Sequence, residues 1–171
     1  MTDYVVDASA VIDALAAKDG VGIALRARIG EATCHAPHLV DAEVGQVLRH
    51  SVRRGELDDE EARTGLRALT NMIDHRYPHT GALSSKAWEL RDVVTFYNGL
   101  YVALAARLDL PLLTTDATLT MAPGLPAVSS WLARAQGGEL SMASRATCRE
   151  SMDSGSSSET SSSRSMRASS L

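Results

Sequence analysis

The sequence predicts an α/β fold in which a central parallel sheet is flanked by helices on both faces. Three observations carry this reading. Short strand-like runs stand at Tyr4-Val5-Val6, at Thr33 to Ala36 and at Leu110 to Thr115. The long segments between them place apolar residues at helical spacing. Strands separated by helices need crossover connections, which make neighbouring strands parallel and cover both sheet faces. A chain of 171 residues with 44% hydrophobic content is also long enough for one domain around a single core.

The elements follow in order. Tyr4-Val5-Val6 is a β-branched run that ends in Asp7. Ala8 to Ala17 reads as a helix, and Val21 to Gly30 as a second. Thr33 to Ala36 is a short strand closed by Pro37. Val40, Val44, Val47, Leu48 and Val52 repeat at helical spacing, so Asp41 to Arg54 is amphipathic. Gly55 ends that helix, where a left-handed residue is commonly needed. Asp58 caps the next helix, with Glu61 three residues on, and Ala62, Leu66, Leu69, Met72 and Ile73 mark its buried face. A further helix runs from about Gly81 to Val93, with Leu83, Ala87, Leu90 and Val94 inward.

Asn98-Gly99 is a strong hairpin signal when strands flank it. The residues after it, LYVALAARL, are alanine-rich and helical instead. Asn98 therefore lies near the start of a helix to Leu108, with Thr95 as cap. Leu110 to Thr115 is then a buried strand ending at Asp116, and Ala127 to Ser129 a last short strand. The body is expected to span 1–136. From 137 to 171 the chain is rich in Ser and poor in large apolar residues, which predicts a disordered tail.

Composition excludes several classes. A formal net charge of −4 argues against wholesale electrostatic binding of nucleic acid, though not against a local basic surface. Lys18 and Lys86 are the only lysines, so most positive charge is arginine, which suits bidentate phosphate contacts. No apolar run is long enough to span a membrane. The start, MTDYVVDAS, carries acids where a signal peptide would carry basic residues, so a cytoplasmic protein is expected. Cys34 and Cys148 suggest neither a disulfide framework nor a zinc ribbon, and Cys34, His35 and His38 lack a second ligand pair to close a metal site.

Two aspartates have a special address. Asp7 and Asp116 both end strands, and in open α/β sheets ligands bind beyond the carboxyl ends of parallel strands. Glu43 adds a third acid near a helix start. Carboxylates converging from distant positions repel one another, and such a site suits a hard cation such as Mg²⁺ or Mn²⁺. Each acid also has a plainer reading. Asp7 and Asp41 fit helix caps, Glu43 a solvated helix position, and Asp116 a turn. Periodicity alone does not link them.

Three stretches together resemble the PIN-domain family, in particular VapC-type toxins of toxin–antitoxin pairs. They are VVDASAVIDAL, APHLVDAEVGQVLRHSVRRGEL, and AWELRD through TFYNGLYVALAARLDLPLLTTDATL. The resemblance implies a three-layer α/β/α PIN-like fold and a Mg²⁺- or Mn²⁺-dependent endoribonuclease. It implies RNA as substrate, a cognate antitoxin as partner and a homodimer. Family acids map onto Asp7, Glu43 and Asp116 as metal ligands and catalytic groups.

A fourth family position, normally Asp in a Tyr-Asp-Ala context, falls on Asn98. An amide oxygen can still ligate Mg²⁺ but brings no charge. This departure opens an alternative, a weakened or inactive PIN-like domain that binds RNA or antitoxin without cleavage. Ser9 and Thr115 sit beside the strand-end acids and are candidates to orient them. Arg49, Arg53 and Arg91 are candidates for RNA contact, with a solvated surface as the plainer alternative.

Overall fold

The computed structural model describes residues 2–16 and 20–121. The strand expected at Ala127 to Ser129, Cys148 and the Ser-rich segment 137–171 lie outside the described residues. Four strands, β1 (Thr2–Val6), β2 (Ala32–Pro37), β3 (His75–Tyr77) and β4 (Leu112–Leu113), pair in parallel in the order β3-β2-β1-β4. Thr2 lies opposite Ala32, Val5 opposite Leu112, and Val6 opposite Leu113. The strand order puts β1 and β4, far apart in sequence, side by side at the centre of the site described below.

Seven helices surround the described sheet: α1 (Ala8–Ala16), α2 (Gly20–Gly30), α3 (Leu39–Arg53), α4 (Asp59–Met72), α5 (Ala82–Glu89), α6 (Phe96–Leu108) and α7 (Ala117–Met121). Helix α6 packs on β1, β2 and β4, and α5 packs on α6. Helices α1, α3 and α4 pack together, while α2 and α3 reach β2. The architecture is three-layered, α/β/α. Val5, Val6, Val11, Leu25, Val40, Val44, Leu100, Leu104, Leu112 and Leu113 fill the core. Buried residues run almost without a break along α6 from Gly99 to Ala105, so this helix is apolar nearly all round and lies in the interior.

The caps obey local chemistry. Asp58 accepts from the Glu61 N–H at 2.7 Å while Glu61 accepts from the Asp58 N–H at 2.8 Å, a reciprocal capping box at the start of α4. The Thr95 hydroxyl accepts from the Asn98 N–H at 3.2 Å and starts α6, as its position predicts. Gly55 has φ of +70° just past the end of α3.

Four expectations need correction. β3 has no counterpart in the sequence reading, because three residues with His and Arg at an edge carry no apolar alternation. β4 is two residues rather than six: Pro111 lacks an N–H, and only its carbonyl joins the sheet, accepting from Val5 at 3.0 Å. Asp41 is no cap. Helix α3 begins two residues earlier, which turns Asp41 toward β3, where Arg76 grips both its oxygens at 2.9–3.2 Å. Leu66 is 45% exposed, because Ala62, Leu69 and Ile73 supply the buried seam of α4 and leave Leu66 at its edge.

Candidate active site

The site is built where β1 and β4 end. Asp7 directly follows β1 and is 5% exposed. Its backbone N–H donates to the Leu113 carbonyl at 2.9 Å, so the sheet pairing itself fixes its position. The register continued one step past Val6 and Leu113 sets Thr114 opposite Asp7. Neighbours in register project to the same face.

The Thr114 hydroxyl donates to Asp7 Oδ2 at 2.7 Å, and the Ser9 hydroxyl donates to the same oxygen at 2.6 Å. Each hydroxyl is itself oriented by a backbone N–H. Thr115 N donates to Ser9 Oγ at 3.1 Å, and Asp116 N to Thr114 Oγ1 at 3.0 Å. Ser9 thus takes the orienting place expected of it. Thr115 contributes its backbone N–H, and the neighbouring Thr114 supplies the side chain. Alternation puts the two side chains on opposite faces, and the register of β1 on β4 puts Thr114 on that of Asp7.

Asp116 precedes α7. Its Oδ1 accepts from the Thr118 N–H at 2.8 Å and from the Thr118 hydroxyl, so it caps that short helix. Its Oδ2 accepts from Asn98 Nδ2 at 3.1 Å. Asn98 sits in the first turn of α6, and its amide points a donor at a carboxylate. Glu43, on α3, accepts from the Tyr101 hydroxyl at 2.5 Å. Tyr101 is fully buried on α6, two residues past Gly99, and its link to Glu43 had no signal in the sequence. Arg49, Arg53 and Arg91 are exposed and stand outside this hydrogen-bond network.

The electrostatics bind the three acids together. Burial holds the Asp7 carboxyl above its usual range; the Ser9 and Thr114 hydroxyls pull it back, and the charge of Asp116 raises it. Burial also pushes Glu43 up to about 7, opposed by the Tyr101 hydroxyl and reinforced by the charge of Asp7. The Tyr101 phenol is raised by its burial and then by the charges of Glu43 and Asp7. No described Lys or Arg forms an ion pair with Asp7, Glu43 or Asp116.

This donor set fits Mg²⁺ or Mn²⁺ in kind. Every ligating atom on offer is oxygen, and two of the three acids are carboxyls that burial and negative neighbours keep from ionising easily, a penalty a cation would relieve. Among the described residues, no three His, Cys, Asp or Glu side chains stand close enough to hold an ion by themselves.

Fold and site together define a three-layer α/β domain with an acidic, oxygen-lined centre at the carboxyl ends of its strands. Residues 4–124 match the family model of the PIN domain, and the chain belongs to that family. Among named relatives, ribonuclease VapC1 of Mycobacterium tuberculosis is 54% identical over 126 residues, covering 74% of this chain and 95% of that protein. Ribonuclease VapC9 of the same organism is 38% identical over 116 residues, covering 68% of this chain and 87% of its own. The crystal structure of VapBC2 from Rickettsia felis, bound to a DNA fragment from its promoter, matches with a TM-score of 0.56. It covers 74% of this chain and 97% of that one at 14% identity, a likeness of fold. No helix among the described residues is long and apolar enough to cross a membrane.

Proposed function

We propose that this chain is a Mg²⁺- or Mn²⁺-dependent endoribonuclease that acts as the toxin of a toxin–antitoxin pair. In this reading it works in the cytoplasm as a homodimer, hydrolyses RNA phosphodiester bonds and is restrained by a cognate antitoxin. What supports the reading most is the charge coupling of Asp7 both to Asp116 and to Glu43, with no described Lys or Arg paired to any of the three. Relatives named as ribonucleases support the same chemistry.

Asp7 and Asp116 would hold the cation, with Asn98, hydrogen-bonded to Asp116, as its neighbour on α6. When bound, the ion neutralises charge on the phosphate and makes water a stronger nucleophile at neutral pH. Ser9 and Thr114 fix the orientation of the Asp7 carboxylate through its Oδ2. Tyr101 holds Glu43 by Oε2, so Oε1 is free to orient the attacking water and accept its proton. Arg49, Arg53 and Arg91 supply exposed positive charge for the RNA backbone.

A second reading rests on Asn98. Its Nδ2 donates to Asp116, so the amide presents a donor where the family pattern has an acid. A PIN-like domain that binds RNA or antitoxin without cleavage follows if that substitution silences the centre. The deciding experiment incubates labelled RNA with purified protein in Mg²⁺, in Mn²⁺ and in EDTA. Cleavage that EDTA abolishes and either ion restores is expected. Cleavage indifferent to the chelator would overturn the proposal, and no cleavage in either ion would favour the second reading.

A further inference from the structure

Just before Asn98 in the chain stands a group of exposed rings that, apart from its neighbour Arg91, the chemistry above does not use. The chain is poor in aromatic residues, with 2 Trp, 4 Tyr and 1 Phe. Three of these rings are exposed within ten residues of one another: Trp88 at 61%, Phe96 at 37% and Tyr97 at 45%. Trp88 and Phe96 meet edge to face with centroids 6.5 Å apart. The Arg91 guanidinium lies over the Trp88 ring at 5.6 Å and donates to the Trp88 carbonyl at 3.1 Å. It also forms an exposed ion pair with Asp92 at 3.6 Å, of the kind that contributes little and is readily exchanged for another anion. Phe96 and Tyr97 directly precede Asn98 in the first turn of α6.

We infer that Trp88, Phe96 and Tyr97, with Arg91, form a stacking platform for unpaired bases of single-stranded RNA entering the acidic centre. This deepens the proposed ribonuclease activity and rests on it. Phe96 and Tyr97 open the helix that carries Asn98, and Trp88 on α5 joins them through its edge-to-face contact with Phe96, so the ring cluster is tied to the site-bearing helix. Its chemistry answers a problem the site creates. Carboxylates in a chain of net charge −4 repel a polyanion, so affinity must come from contacts that do not depend on overall charge. Aromatic faces bind any base by stacking, and a guanidinium resting on a ring adds one positive charge for the adjoining phosphate. Paired bases hide their faces, so the platform selects single strands.

The test measures binding of a fluorescein-labelled single-stranded oligoribonucleotide, and of its duplex, to the full chain in EDTA. Wild type, Trp88→Ala, Trp88→Phe and Tyr97→Ala are compared, with mass by light scattering. Stacking one base on an aromatic ring is worth a factor of roughly 5 to 150 in affinity. Trp88→Ala should weaken single-strand binding by such a factor, Tyr97→Ala should weaken it in the same direction, and Trp88→Phe should stay within about threefold. Duplex should bind more weakly than single strand, and the mass should not change. Unchanged RNA affinity in Trp88→Ala overturns the inference, and if its mass falls at the same time the patch is a protein interface. Wild type that cleaves RNA in Mg²⁺ while these variants bind normally refutes the platform alone. Wild type that neither binds nor cleaves RNA refutes the ribonuclease proposal beneath it.

Discussion

Replacing Asn98 with Asp tests how this centre differs from the family pattern. In the metal-free protein the change removes the 3.1 Å hydrogen bond from Asn98 Nδ2 to Asp116 Oδ2 and sets two carboxylates face to face. Two unit charges ~4 Å apart interact by about 4 kcal/mol at an effective dielectric near 20. Both side chains are only half-buried, so water and proton uptake absorb much of this, leaving a loss of about 1–2 kcal/mol. For a domain of this size that lowers Tm by roughly 3–8 °C. A divalent cation reverses the sign. The added charge attracts the ion, offset by repulsion among the acids, for a net gain of ~1–3 kcal/mol or one to two decades in affinity. Thermal unfolding in EDTA and across a Mg²⁺ titration reads both effects. Asn98→Asp should melt below wild type in EDTA and gain more from Mg²⁺. Equal melting in EDTA, with equal Mg²⁺ shifts, would mean that Asn98 does not share a field with Asp116.

Glu43 makes the metal-free protein pH-sensitive. Its folded pKa, raised by burial to about 7 from 4.5, means the native state holds a proton the unfolded chain has released. Its contribution is therefore full below about 4.5 and lost as pH rises through about 7, and Glu43→Gln should flatten Tm against pH over that window. Cation affinity should climb as pH passes 7, since the proton must leave first. Tyr101→Phe keeps the buried ring but removes the donor to Glu43, so urea unfolding at pH 8 should show a loss of about 1.5–3 kcal/mol. Thr114→Val strips a buried hydroxyl that serves both Asp7 and the Asp116 N–H, and should lose about 2–3 kcal/mol. Thr115→Val should change stability by less than about 0.5 kcal/mol, because Thr115 acts through its backbone.

Much of the fold was legible because local chemistry and global topology agree. The capping box at Asp58, the Thr95 cap and the left-handed Gly55 were all readable from a few residues. So were the long helices, whose apolar period reflects burial directly. The Asn98-Gly99 pair shows how flanking composition overrules a local turn signal: both residues lie inside α6. What escaped depended on partners distant in sequence. Asp41 looked like a cap until Arg76, 35 residues on, supplied a carboxylate partner from an edge strand too short to announce itself. Thr114 was overshadowed by Thr115, because only the register of β1 on β4 decides which hydroxyl faces Asp7. Tyr101 lies 58 residues from Glu43, and no spacing rule links them. Position after a strand was enough to single out Asp7 and Asp116, whereas their shared environment needed the strand order β2-β1-β4.

The most direct measurement is cleavage of labelled total tRNA and ribosomal RNA in Mg²⁺ by wild type and by Asp7→Asn. The substitution keeps the shape of the Asp7 side chain and removes its charge. Wild type should cut discrete RNA bonds, and Asp7→Asn, folded as judged by its melting curve, should cut none. Equal cleavage by both, or an inert wild type beside an active Asn98→Asp, would contradict the account.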